Sequence, residues 1–243
     1  MNGIEDCTLI QWPDDQQSYE VAINENPKNA GSGTGTRRKR SLINYSKLWE
    51  NGRTLKIAFI DGPDDEHKKK IINAARQWLP YINLSFDFVE GLEGDIRIAT
   101  KNNDNSSMLG TDALLIHPAW PTMNLGVKPE HEDFEVIVTH EFGHALGAMH
   151  EHQHPEANIP WDKPKVYEYY QNREMNPLSK DEVDRNIFTS FNALSAIYTP
   201  YDRKSIMHYP VADNLTLGNW KILTNRKISK KDKQLMKLLY PKR

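Results

Sequence analysis

The order of apolar and polar positions divides the chain into a polar beginning, a patterned middle and an irregular end closed by one helix. Thr54-Leu55-Lys56-Ile57-Ala58-Phe59-Ile60 alternates as a half-buried strand does, and Asp61-Gly62-Pro63 ends it. From about Glu66 to Ile82, Ile71, Ile72, Ala75, Trp78 and Leu79 recur at helical spacing. Leu84–Val89 and Asp95–Ala99 alternate again and predict two more strands. Gly110–His117 and Thr122–Gly126 follow as short segments. Phe134, Ile137, Val138, Phe142, Ala145 and Leu146 then predict a helix over about Asp133 to Gly147. Beyond it periodicity is weak until a closing helix. Ser229 caps that helix with Asp232 in an S-x-x-D box, and Leu235, Met236, Leu238 and Leu239 form its expected buried face. Residues 1–40 are polar and weakly periodic, passing through Gly31–Thr36, a flexible linker by composition, into Arg37-Arg38-Lys39-Arg40.

Composition narrows the class of protein. A chain of 243 residues fits one domain plus a short extension, placed here at 41–243 and 1–40. With a net charge of −2 and acids and bases nearly balanced, nothing points to nucleic acid. No apolar run reaches the roughly 18 residues of a membrane span, and a monomer is expected. Residues 1–7 lack the basic and apolar regions of a secretory leader. Secretion is nonetheless the expectation, with a cytoplasmic protein or one delivered into a target cell as the alternatives.

Chemistry is concentrated in His140-Glu141-Phe142-Gly143-His144-Ala145-Leu146-Gly147-Ala148-Met149-His150, an H-E-x-x-H-x-x-G-x-x-H run. On a helix, His140 and His144 project from one face and can share a metal. Gly147 can take a positive φ, so the helix can stop and the chain swing His150 back as a third ligand. Three histidines leave one position of a tetrahedral zinc open, the mark of a catalytic site holding one Zn2+. Glu141 stands beside them as a general base for the attacking water, then as the acid that serves the leaving amine.

The run matches the metzincin signature, and Glu151 directly after His150 makes it resemble the astacin family of zinc endopeptidases. Ser205-Ile206-Met207-His208-Tyr209 resembles the Met-turn of that family, and the similarity extends from about Leu48 to Tyr240. The resemblance implies an α+β metzincin (zincin-like) fold. Its upper lobe has a twisted mixed sheet and two helices, one carrying the zinc ligands; its lower lobe is irregular and ends in a helix. It implies that Met207 floors the metal site and that Tyr209 is a displaceable ligand that swings away to hydrogen-bond the oxyanion. It also implies that Glu151 is a buried structural acid receiving a mature N-terminus, and that a strand in 110–117 forms the sheet edge above the cleft. There an extended protein or peptide substrate would pair. One departure is plain: astacins typically carry two disulfides, and Cys7 is the only cysteine here.

The activity expected is zinc-dependent endoproteolysis. Its alternatives are a narrow-specificity protease toxin or effector, and a zinc-containing peptide-binding domain without catalysis. His152, His154 and His208 are expected to make surface or supporting contacts. Cleavage after Arg40 would leave a chain starting at Ser41, so residues 1–40 are a candidate propeptide of a zymogen. Two readings of Cys7 stand side by side: a free thiol in a disordered tail, or an inhibitory ligand laid over the open metal position.

Overall fold

The computed structural model describes residues 7–30, 46–173, 177–191 and 198–242; the Gly31–Thr36 stretch and the Arg37–Arg40 cluster lie outside them. Among the described residues six strands form one sheet in the order β1-β5-β6-β4-β2-β3. They are β1 (Cys7–Ile10), β2 (Thr54–Phe59), β3 (Ser85–Glu90), β4 (Ile96–Ala99), β5 (Asn105–Met108) and β6 (Met123–Leu125). Strands β2, β3, β4 and β6 run parallel, β5 is antiparallel to β6, and β1 is parallel to β5. The α+β metzincin architecture follows: sheet and two long helices above, irregular chain below, a helix at the end.

The strands and helix read from alternation and helical spacing fall within a residue or two of their expected places. After β1 comes a first helix, α1 (Asp15–Glu25). Helix α2 (Asp65–Ala75) starts where the Asp64 side chain accepts the His67 amide, and continues as a 3₁₀ turn to Tyr81. Helix α3 (Phe134–Ala145) is buried on almost every side, as a helix apolar all round must be. Two indoles hold it: Trp78 Nε1 donates to Thr139 O at 2.9 Å and Trp49 Nε1 to Ala145 O at 2.8 Å. The lower lobe contains α4 (Lys163–Gln171), α5 (Lys180–Val183) and α6 (Lys230–Leu239).

Two expectations fail. Residues 110–115 are a 3₁₀ turn, and the strand of this region is β5, just before it, between β1 and β6. Gly110 at φ +49° breaks the extended path, and a Cβ there would collide with the Lys47 carbonyl. On α6, Met236 is buried but Leu238 is 57% exposed. The face actually turned inward is Asp232, Met236 and Tyr240, at i, i+4 and i+8. Among the described residues no helix is long and apolar enough to cross a membrane.

The polar beginning is ordered over 7–30. Its helix α1 is capped by Asp14, which accepts the Gln16 and Gln17 amides. Only Cys7, Ser18, Ala22, Asn26 and Asn29 are buried in this stretch. It lies on the edge of the sheet with no large apolar side chain fully enclosed.

Candidate metal and active site

His140 and His144 leave α3 on one face, and Gly147 at φ +92° turns the chain so that His150 returns to them. The His144 Nε2 atom lies 3.1 Å from His140 Nε2 and 3.0 Å from His150 Nε2. His140 Nδ1 meets the Ile206 carbonyl at 2.8 Å and His144 Nδ1 the Ala148 carbonyl at 2.7 Å. A carbonyl can only accept, so Nδ1 carries the proton in both rings and the Nε2 lone pairs point inward. Burial keeps these imidazoles neutral: His140 is lowered to about 4, and His144 and His150 fall well below the ordinary value, helped by each other's proximity. Lone pairs this close repel unless a cation sits between them. Their spacing suits a metal bonded to nitrogen at about 2.0–2.1 Å, so the donor set fits zinc.

Glu141 is fully buried, and among the described residues its carboxylate oxygens meet no N–H or O–H donor, only the Cys7 thiol. Burial pushes its carboxyl up to about 8, opposed in part by the neighbouring Cys7 thiol. A buried carboxyl whose one donor is a weak thiol, beside three converging lone pairs, is a costly arrangement that structural packing does not explain. Cys7 is 1% exposed, and its Sγ lies within 4.8 Å of a His140 nitrogen and a Glu141 oxygen. Burial, and then the adjacent Glu141 charge, raise its thiol well above the usual range.

Tyr209 lies against the ligand histidines, its ring 4.3 Å from that of His150. It also stacks on the His152 ring at 4.4 Å and 19°. Its hydroxyl donates to the Cys7 carbonyl. Beneath the site Met207 presses against Gly143, where any Cβ would meet its sulfur. The Met-turn is tied down from two directions. Glu151 N donates to Met207 O at 3.0 Å, while Asp232 of α6 accepts from Ser205 Oγ at 2.6 Å and Ile206 N at 2.9 Å. Glu151 is half-buried, accepts the Asp202 amide at 2.6 Å, and is raised to about 8 by burial.

His140, Glu141, His144, His150, Met207, Tyr209 and Cys7 are thus brought together, with Gly147 at the turn and Glu151 just behind. His152, His154 and His208 are all buried, which removes the surface half of their expectation. Their contacts are supporting ones: His152 to Asn186 O, His154 to Thr199 O, and His208 to Tyr201 Oη and the Tyr209 carbonyl. Gly143, the second role of Asp232 and the β5 edge were missed. Gly143 had a signal, because a glycine inside a helix needs a packing reason. Asn105-Ser106-Ser107 had none.

Comparison with known proteins places these observations. Residues 41–240 match the model of the peptidase family described as Astacin. The zinc metalloproteinase dpy-31 of Caenorhabditis elegans is 27% identical over 205 residues, covering 83% of this chain. Its counterpart in Teladorsagia circumcincta is 27% identical over 210 residues, also 83% of this chain. The chain spans only 30% and 29% of the length of those two relatives. Among solved structures, myroilysin superposes with a TM-score of 0.76 at 39% identity, over 81% of this chain and 97% of its own. High choriolytic enzyme 1, a hatching-enzyme zinc protease of the medaka Oryzias latipes, is 19% identical with a TM-score of 0.55. It covers 86% of this chain and all of its own, and speaks to the fold alone.

Proposed function

The chain belongs to the astacin family of zinc metalloendopeptidases, and from that premise we propose that it hydrolyses internal peptide bonds of proteins. In this reading His140, His144 and His150 hold the metal and Glu141 is the base. The observation that carries it is the convergence of three Nε2 lone pairs at 3.0–3.1 Å beside the buried Glu141 carboxyl, which meets only the Cys7 thiol. Zinc bound there supplies a Lewis acid that polarises the scissile carbonyl and makes water acidic enough to lose a proton near neutrality. Glu141 takes that proton and delivers it to the departing amine. Tyr209, once its hydroxyl leaves the Cys7 carbonyl, turns to the metal site and donates a hydrogen bond to the oxyanion. Met207 and Glu151 shape the floor and the turn behind His150 without touching substrate.

Residues 41–243 are the catalytic domain in this proposal, and residues 1–40 an inhibitory extension that makes the full chain a zymogen. Three observations support it. The family match begins at Ser41, directly after Arg37–Arg40. β1 occupies the outer edge of β5, where an extended substrate would pair. Cys7 brings its thiol beside His140 and Glu141 and its carbonyl to the Tyr209 hydroxyl, so one residue stands against both the base and the oxyanion donor.

Glu141→Gln should keep zinc, read by metal analysis, and lose casein turnover by about 10²–10⁴-fold, the usual worth of a positioned base. Near-normal turnover of the zinc-loaded variant would refute the assignment. For Cys7, cobalt substitution of the full chain should give a thiolate-to-cobalt charge-transfer band that Cys7→Ser abolishes. A band of equal strength in both proteins removes the thiol from the metal.

A further inference from the structure

The segment 7–30 is fastened to the rest of the protein at points that do not depend on the residues connecting them. Along β1 the register runs from Cys7 opposite Asn105 to Ile10 opposite Met108, and the Leu109 amide donates to the Ile10 carbonyl. Next, the fully buried carboxylate of Asp112 takes the Trp12 amide at 2.9 Å on one oxygen and the Ser18 hydroxyl at 2.5 Å on the other. Lys47 pairs with the same carboxylate at 2.6 Å, holding its charge in place. At the far end Asn29 is buried and donates to Leu48 O while accepting from Leu48 N and Ser46 Oγ. Asn26 donates to Trp49 O, and Glu25 pairs with Arg53. The bonds to the Asp112 carboxylate and the Glu25–Arg53 pair are charge-assisted and of the strong kind; the Asn26 and Asn29 bonds are neutral.

The same segment has nothing to fold around. Its buried residues are one cysteine, one alanine and three polar side chains, whose partners are supplied by Asp112, Trp49, Leu48, Ser46 and the β5 edge. It is a strap laid into a trough rather than a domain. A covalent tether adds an effective concentration in the millimolar range to such a strap. Cutting the tether removes that gain and leaves every bond above intact.

We propose that the extension remains bound after scission of the connecting residues, anchored at Asp112, so that the cut form is a latent two-chain complex. The partner recognised by this trough is the chain's own detached N-terminal fragment. Opening the cleft then takes a second event, release or digestion of a strap that is unfolded once free. The proposal rests on the reading of the extension as inhibitory, but retention and inhibition are separate quantities.

The test uses the full chain, zinc-loaded, with residues 37–40 replaced by the recognition sequence of a site-specific protease. After complete cutting, size exclusion at micromolar protein and mass spectrometry of the peak report retention, and casein turnover is measured on the same fraction. Both fragments should elute together, with turnover at the level of the uncut protein. Ser18→Ala, outside the catalytic domain, and Asp112→Asn should each release the small fragment about tenfold faster or more, the loss expected for a hydrogen bond to a charged partner. Separation of the wild-type fragments on cutting overturns the proposal, and unchanged release in both variants overturns Asp112 as its anchor. Co-elution with full turnover upholds retention and sinks the inhibitory reading instead.

Discussion

Tyr209 is held by the rings of His150 and His152 and at its hydroxyl by the Cys7 carbonyl. Tyr209→Phe keeps the packing face and removes only the donor. With the extension removed, it should retain zinc and lose about 10²-fold in kcat with little change in KM, as loss of one oxyanion donor does. A rise in KM at constant kcat would instead make Tyr209 a binding residue. Gly143 is the counterpart below the metal. Gly143→Ala would drive a methyl into Met207 and should destabilise by about 1–3 kcal/mol through overpacking. Thermal unfolding of the zinc-loaded variant against wild type measures it, and an unchanged midpoint would mean that Met207 has room to move.

At the scale of elements, α6 does two jobs with one side chain. Asp232 completes the box with Ser229 that starts the helix, and reaches out to Ser205 and Ile206 to hold the Met-turn. Cap and turn are therefore mechanically one piece. Asp232→Ala should cost about 1–2 kcal/mol for the cap alone. It should also weaken zinc retention, because the Ile206 carbonyl that orients His140 loses its anchor. Chelator competition on the folded variant checks the second effect, and unaltered zinc affinity would show that α6 merely closes the chain. The elements also explain what sequence could show. β2, β3 and β4 alternate and were legible; β5 is Asn-Ser-Ser-Met, buried on every residue, and carries no hydrophobic period. Pairing with β6 and β1 makes it a strand, and pairing is not a property of four residues. Conversely, Ala113-Leu114-Leu115-Ile116 has strand-like composition, yet Gly110 and the buried Asp112 bend it into a turn against Lys47.

For the whole molecule, the proposed contact of Cys7 with the metal would link metal and extension thermodynamically. Removing zinc leaves three lone pairs facing one another, so the chelated full chain should unfold at lower temperature. Zinc at about a thousand times its dissociation constant should restore about 4 kcal/mol. Cys7→Ser should gain less from zinc, because one donor to the metal is weakened, and identical gains would argue against the thiol. What the amino-acid order determined by itself was local: two histidines one helical turn apart, a glycine able to reverse the chain, a third histidine three residues on, and a capped final helix. Such features follow from backbone periodicity and need no partner. Only the tertiary structure decided that the polar first residues are ordered, that Cys7 lies against Glu141 and under Tyr209, and that Asp112 anchors them. Those residues have no periodic apolar signal. They are held by hydrogen bonds to groups distant in the chain, and a buried polar contact exists only once both partners have been folded into place.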